Sequence, residues 1–215
     1  VIEALFPEGV VVVVAGAAQA GEPLHPAEAA LAGRMGDARR HEFALGRACA
    51  RHALAVLGVP GPVLRGDDRA PIWPPGVVGS LTHCDALCAA AVAREGDIVA
   101  IGLDAELDAP LSDRLARRVC TSAERLHLAR LPGREPGAWG KLAFSAKESF
   151  YKAWYTLART GLGFRDVEVS IDPDAARFSV RVLRGDKPGP RTAQGRFAFA
   201  PPHVVTAVAI RRGEA

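Results

Sequence analysis

Two hundred and fifteen residues, 49% hydrophobic and 24% charged, are enough for one large domain or two small ones around a real core. A net charge of +3 falls well short of a dedicated nucleic-acid binder and suits an anionic ligand or an acidic protein partner. No apolar run approaches the ~20 residues of a bilayer span, and the N-terminus lacks the basic region of a signal peptide. Cys49, Cys84, Cys88 and Cys120 form no CxxC pair and no metal-ligand spacing, so a reduced, cytoplasmic protein with packing cysteines is expected. The chain opens on Val1 rather than Met, and the expectation is that numbering starts inside the natural chain or after processing.

In chain order, Val10 to Ala15 reads as a buried strand and Pro26 to Leu57 as mostly helix. Phe43, Ala50, Leu54 and Leu57 make one apolar stripe, and Arg39, Arg40, Arg47 and Arg51 lie beside it. Gly58 and Pro60 end that helix, and turn-rich sequence follows from Gly61 to Gly76. Three short strands come next, Val77 to His83, Leu87 to Ala93 and Ile98 to Glu106. Helices are expected near Ser112 to Leu131, with a break near Thr121, and near Trp139 to Arg159. Four further strands close the chain: Val167 to Ile171, Phe178 to Leu183, Arg196 to Ala200 and His203 to Ile210. Helix followed by antiparallel strands thus occurs twice. The predicted fold is α+β with two similar halves, residues 1–105 and 106–215, and a ligand cleft between them.

Three stretches carry groups capable of chemistry. On a strand, Asp104 and Glu106 of "IGLDAE" project to one face, ~7 Å apart, where they can share a cation or simply be solvated acids. Glu148 of "FSAKESFYKAW" would add a third oxygen donor of the kind Mg²⁺ prefers. The same residue also fits a plain helix, with Ser145-x-x-Glu148 as a capping box and Glu148–Lys152 as an i,i+4 ion pair. Against the plain reading stands lysine usage: the chain has only four lysines against twenty-three arginines, yet Lys147 and Lys152 flank this one glutamate. A compact ammonium on a flexible stem does what a planar guanidinium fork cannot. In "VVGSLTHC", Ser80, Thr82 and His83 could hold phosphate oxygens, whereas the spacing fits neither a GxSxG serine hydrolase nor a common zinc site. With no Walker loop and no GxGxxG, a phosphate-rich ligand would be gripped by side-chain cations, the arginine cluster and Arg65 among them.

The order "VVGSLTHC", "IGLDAE", "FSAKESFYKAW" resembles the three-motif signature of 4′-phosphopantetheinyl transferases of the long, surfactin-synthetase and enterobactin class, its actinobacterial branch in particular. The similarity extends to "RRHEFALGRACARHAL" and "LRGDDRAPIWP" and spans roughly residues 39 to 165. Phe144, where many members have Trp, is a conservative packing departure. The resemblance implies a cytoplasmic, pseudo-dimeric monomer that moves 4′-phosphopantetheine from coenzyme A to a serine of an apo acyl, peptidyl or polyketide carrier protein. Adenosine 3′,5′-bisphosphate would be released. It implies Mg²⁺, with Mn²⁺ as a substitute, on Asp104, Glu106 and Glu148. Coenzyme A would be held by Arg39, Arg47, Arg65, Ser80, Thr82, His83, Lys147 and Lys152, and Glu148 and Lys152 would be the catalytic pair. A carrier-docking patch is expected between Trp154 and Arg165, with Trp154 itself in the core. A Mg²⁺-dependent nucleotide phosphohydrolase and a non-catalytic coenzyme A-binding protein are the competing readings.

Overall fold

The stretch "LCAAAVAR" decides how the layers stack, because its alternate residues serve two different cores. The computed structural model describes residues 1–16 and 18–214. In it, this stretch is strand β5 (Leu87–Arg94), between β1 (Val11–Val14) and β4 (Val77–Cys84) in a three-stranded antiparallel sheet. Cys88, Ala90 and Val92 face helix α2 (Asp37–Val56), which buries Cys49, Ala50, Ala53 and Leu54 against them. Ala89, Ala91 and Ala93 face the other way, into a core shared with the second sheet. Small side chains on both faces of a central strand allow close approach from both sides. A short helix, α1 (Pro26–Ala29), precedes α2, and a hairpin of β2 (Leu64–Arg65) and β3 (Pro71–Ile72) lies within the turn-rich stretch after it.

The second sheet has five antiparallel strands. They run β6 (Ile98–Leu107), β10 (His203–Arg211), β9 (Thr192–Ala200), β8 (Arg177–Val182) and β7 (Val167–Asp172). Ile101, Leu103 and Ala105 of β6, with Val205 and Ala207 of β10, face the first sheet. Helix α5 (Pro136–Ala158) covers the opposite face, burying Leu142, Ala146, Phe150 and Trp154. The layers are therefore α2, first sheet, second sheet, α5. Helices α3 (Asp113–Val119) and α4 (Ser122–Leu128) flank α5, divided by a capping box in which Thr121 Oγ1 accepts from the Glu124 amide and Glu124 accepts from the Thr121 amide.

Two expectations need correction. The strand expected to complete the first half, β6, pairs with β10 and belongs to the second sheet. Its other edge runs beside β4, where Ser80 Oγ accepts from the Leu103 amide and Thr82 Oγ1 from the Ala105 amide, both at 3.0 Å. Hydroxyls thereby satisfy edge amides that no strand pairs. The second correction concerns α5, which starts at Pro136. Ser145 therefore lies in mid-helix, fully buried, and caps nothing.

Candidate active site at the seam between the halves

β6 turns Asp104 and Glu106 toward α5, together with Gly102, where the helix comes so close that a Cβ would fall 1.7 Å from the Ser149 carbonyl oxygen. Glycine at 102 lets α5 lie directly on the strand backbone. From α5, Lys141, Ser145, Glu148 and Lys152 recur at helical spacing as a polar stripe on an apolar helix. Lys141 Nζ donates to Glu106 Oε2 at 3.0 Å, and Ser145 Oγ donates to Asp104 Oδ2 at 2.8 Å. The Thr206 hydroxyl of β10 sits 2.9 Å from Ser145 Oγ. Lys152 bridges the two sheets, donating to Leu81 O of β4 (3.3 Å), Leu103 O of β6 (2.8 Å) and Asp104 Oδ1 (2.9 Å).

Glu148 stands apart from these pairs. Among the described residues its carboxylate has no hydrogen-bond or ion-pair partner, and the expected Glu148–Lys152 bridge gives way to Lys152–Asp104. Burial pushes the Glu148 carboxyl above its ordinary value; repulsion from Asp104 adds to this, Lys152 partly offsets it, and Glu106 contributes further. Three carboxylates thus face two ammoniums. A hard, oxygen-seeking divalent cation fits that donor set, since it would neutralise the charge left over on Glu148. Among the described residues the carboxylates do not already converge as a donor cage, because Asp104 and Glu106 are turned to their lysines.

Lys147, expected beside Glu148 at the ligand, does not join this group. Its ammonium is buried on another side of α5, donating to Glu124 Oε2 (2.8 Å) and to the carbonyls of Val119 (2.9 Å), Phe164 (2.7 Å) and Val167 (3.1 Å). With every proton committed, it has none left for a ligand. Ser80 and Thr82 are both buried, and their oxygens accept from the β6 amides.

The basic residues do assemble. Arg47 is buried, stacks 4.4 Å over the Phe43 ring, and donates to Leu64 O at 3.4 Å, leaving its Nε without a partner. Burial pushes its guanidinium down to about 10; Glu28 opposes this, while Arg65 and Arg39 reinforce it, so these arginines share one electrostatic neighbourhood. Arg39 Nη1 lies 3.2 Å from His83 Nε2 and 3.0 Å from Glu42 Oε2. Beside this cluster opens a cleft of about 940 Å³, walled by the β2–β3 loop, β4 and the α5 residues Tyr151, Lys152, Tyr155 and Arg159. Sequence reasoning missed Lys141, Thr206 and the cleft wall. The spacing 141, 145, 148, 152 was a usable signal for Lys141, whereas nothing local marks Thr206.

Residues 27–93 match the family described as the 4′-phosphopantetheinyl transferase N-terminal domain, and residues 100–206 match the 4′-phosphopantetheinyl transferase superfamily. The two matches part at the turn where the sheets divide. The chain is 46% identical to 4′-phosphopantetheinyl transferase Svp of Streptomyces mobaraensis over 196 residues, 87% of this chain and 78% of that protein. It is 38% identical to 4′-phosphopantetheinyl transferase PptT of Mycobacterium tuberculosis, across 86% of this chain and 85% of that one. Enterobactin synthase component D of Salmonella typhimurium is 40% identical over 123 residues, covering 55% of this chain and 50% of its own. Seam, basic cluster and sequence kinship agree: the chain belongs to the 4′-phosphopantetheinyl transferase superfamily.

Proposed function

We propose that this chain transfers 4′-phosphopantetheine from coenzyme A to the serine hydroxyl of an apo carrier protein of the acyl, peptidyl or polyketide type. The observation that carries this reading is Glu148, an unpartnered carboxylate between Asp104, Glu106 and Lys152 where the two halves meet. The Arg39, Arg47, Arg65 and His83 cluster is the seat for the phosphate on the ribose side of coenzyme A, as its buried cation and unpartnered Nε suit an anion. Lys152, at the border of the cleft, is placed for the pyrophosphate.

The reaction forms a bond from the serine oxygen to the pantetheine-side phosphorus and breaks the pyrophosphate P–O bond, with adenosine 3′,5′-bisphosphate as the leaving group. Glu148 takes the serine proton, its carboxylate being free of hydrogen-bond and ion-pair partners among the described residues. Lys152 offsets negative charge gathering on the leaving oxygen. Asp104, Glu106 and Glu148 are the residues that would hold Mg²⁺, which supplies polarisation of the pyrophosphate when bound. Among the described residues no helix is long and apolar enough to cross a membrane. Phe164, 36% exposed and 5.4 Å from the Phe144 ring, and the neighbouring Arg165 form the surface for an acidic carrier, while Trp154 is fully buried in the core.

The test is the intact mass of an apo carrier incubated with the protein, coenzyme A and Mg²⁺. One added phosphopantetheine is expected, lost with chelator, and slowed ~10²–10⁴-fold by Glu148→Gln. Full turnover by that variant removes Glu148 from both its roles.

A further inference from the structure

Among the described residues, the side-chain polar contacts of the β2–β3 hairpin with the C-terminal half run through one exposed residue. Asp68 Oδ2 accepts from the Tyr155 hydroxyl at 2.9 Å and lies 3.8 Å from Arg159 Nη1. Both partners stand at the end of α5, and all three residues line the cleft. The contact is built at some cost on each side. Arg159, in the left-handed conformation (φ 51°), closes α5 where glycine is the usual choice, and Arg69, next to Asp68, is also left-handed (φ 68°). The Arg159 guanidinium lies 6.0 Å from the Tyr155 ring centroid, so ring and cation meet the same carboxylate. The root of the hairpin is anchored differently: Arg65 joins the basic cluster, and Trp73 packs against the backbone at Gly79, leaving a Cβ there only 2.8 Å from its ring. The hairpin is therefore fixed at its base and tied at its tip by exposed polar contacts, which are weak and easily exchanged with water.

We propose that the hairpin is a flap, and that Asp68 is the latch residue that closes it over the thiol-bearing arm of coenzyme A. The inference rests on the function proposed above and adds to it. The basic cluster lies at the hairpin base and Lys152 at the cleft border, so a ligand whose nucleotide end sits on the cluster and whose pyrophosphate meets Lys152 sends its remaining arm into the cleft beneath the tip. Ile72, Trp73 and Tyr151 offer that arm apolar walls.

The test compares two ligands on the full chain by calorimetry in Mg²⁺: coenzyme A, and adenosine 3′,5′-bisphosphate, which lacks the arm. Asp68→Ala is expected to weaken coenzyme A by roughly three- to tenfold, the scale of one exposed ion pair plus one hydrogen bond, and to leave the bisphosphate unchanged. Asp68 also accepts from the Ala70 amide within its own turn, so Tyr155→Phe opens the latch from the other side without touching the hairpin. It is expected to shift coenzyme A in the same direction by a smaller factor, and Asp68→Asn, which keeps an acceptor for Tyr155, to fall between wild type and Asp68→Ala. Equal weakening of both ligands, or none for coenzyme A, overturns the latch while leaving the transferase reading intact. A wild-type protein that binds neither ligand overturns that reading, and the latch with it.

Discussion

Around Lys147 four acceptors enclose one ammonium, and its partner Glu124 also receives the amides of Thr121 and Val169. Around Lys152, less than two turns along the same helix, three carboxylates share two ammoniums and one of them has no partner. The first arrangement is closed: it ties α3, α4, β7 and α5 together, and nothing in it can engage a ligand without breaking. The second is open, with an anion in excess at the edge of a cleft. Sequence proximity hides this difference, and hydrogen-bond accounting exposes it.

Removing each ammonium should separate the two regions most clearly. Lys147→Met strands Glu124 as a buried charge and is expected to cost ~3–5 kcal/mol in urea unfolding. Adding Glu124→Gln should restore part of that loss by neutralising the stranded group while keeping an acceptor for the amides. Lys152 is 30% exposed and its buried partner Asp104 keeps the bond from Ser145 Oγ, so Lys152→Met is expected to cost less, roughly 1–3 kcal/mol, while strongly reducing carrier labelling. If the two variants swapped phenotypes, Lys147 would belong to the site and the comparison would fail.

A subtler version exchanges each lysine for arginine, keeping the charge. In the closed cage a guanidinium is oversized, and Lys147→Arg should destabilise by ~1–3 kcal/mol through overpacking. At the seam, Lys152→Arg should leave the melting temperature within a few degrees. Its rigid fork cannot meet Leu81 O, Leu103 O and Asp104 as one ammonium does, so turnover should drop roughly tenfold. Unchanged turnover would mean that the scarcity of lysine at this position has no chemical reason.

Much of this was legible before any coordinates. Apolar runs bounded by turn residues located the main strands to within a few residues, with alternation clear where one face is buried, as in Val167–Asp172. The same alternation put Asp104 and Glu106 on one face. What could not be read was partnership. Ile98–Leu107 follows β5 directly, and adjacency in sequence favours pairing with it, but its partner β10 lies about a hundred residues later. The two-residue strands β2 and β3 carry too little pattern to be found among turns. Lys147 stands apart from Glu148 for a geometric reason. One residue along a helix is a rotation of about 100°, so Lys147 and Glu148 cannot share a face, although a motif written as a string sets them side by side.

The finest test concerns Glu148 alone, through stability rather than turnover. Burial and the repulsion of Asp104, only partly offset by Lys152, raise its folded carboxyl above its ordinary value of 4.5. The folded state therefore holds this proton at pH values where the unfolded chain has released it. The group's contribution to stability is full below about pH 4.5 and is lost as pH rises through the raised value. Glu148→Gln abolishes that titration. The variant should gain on wild type as pH climbs from acid to neutral, by less than the effects above because the side chain is only half-buried. Other carboxyls, such as Glu22, whose folded value is lowered by Arg51 and His52 despite its burial, have the opposite slope but cancel in the difference. Saturating Mg²⁺ should shrink the gain by restoring a partner to the wild-type carboxylate. A difference that stays flat with pH would place a partner on Glu148 already, and the open half of the comparison would close.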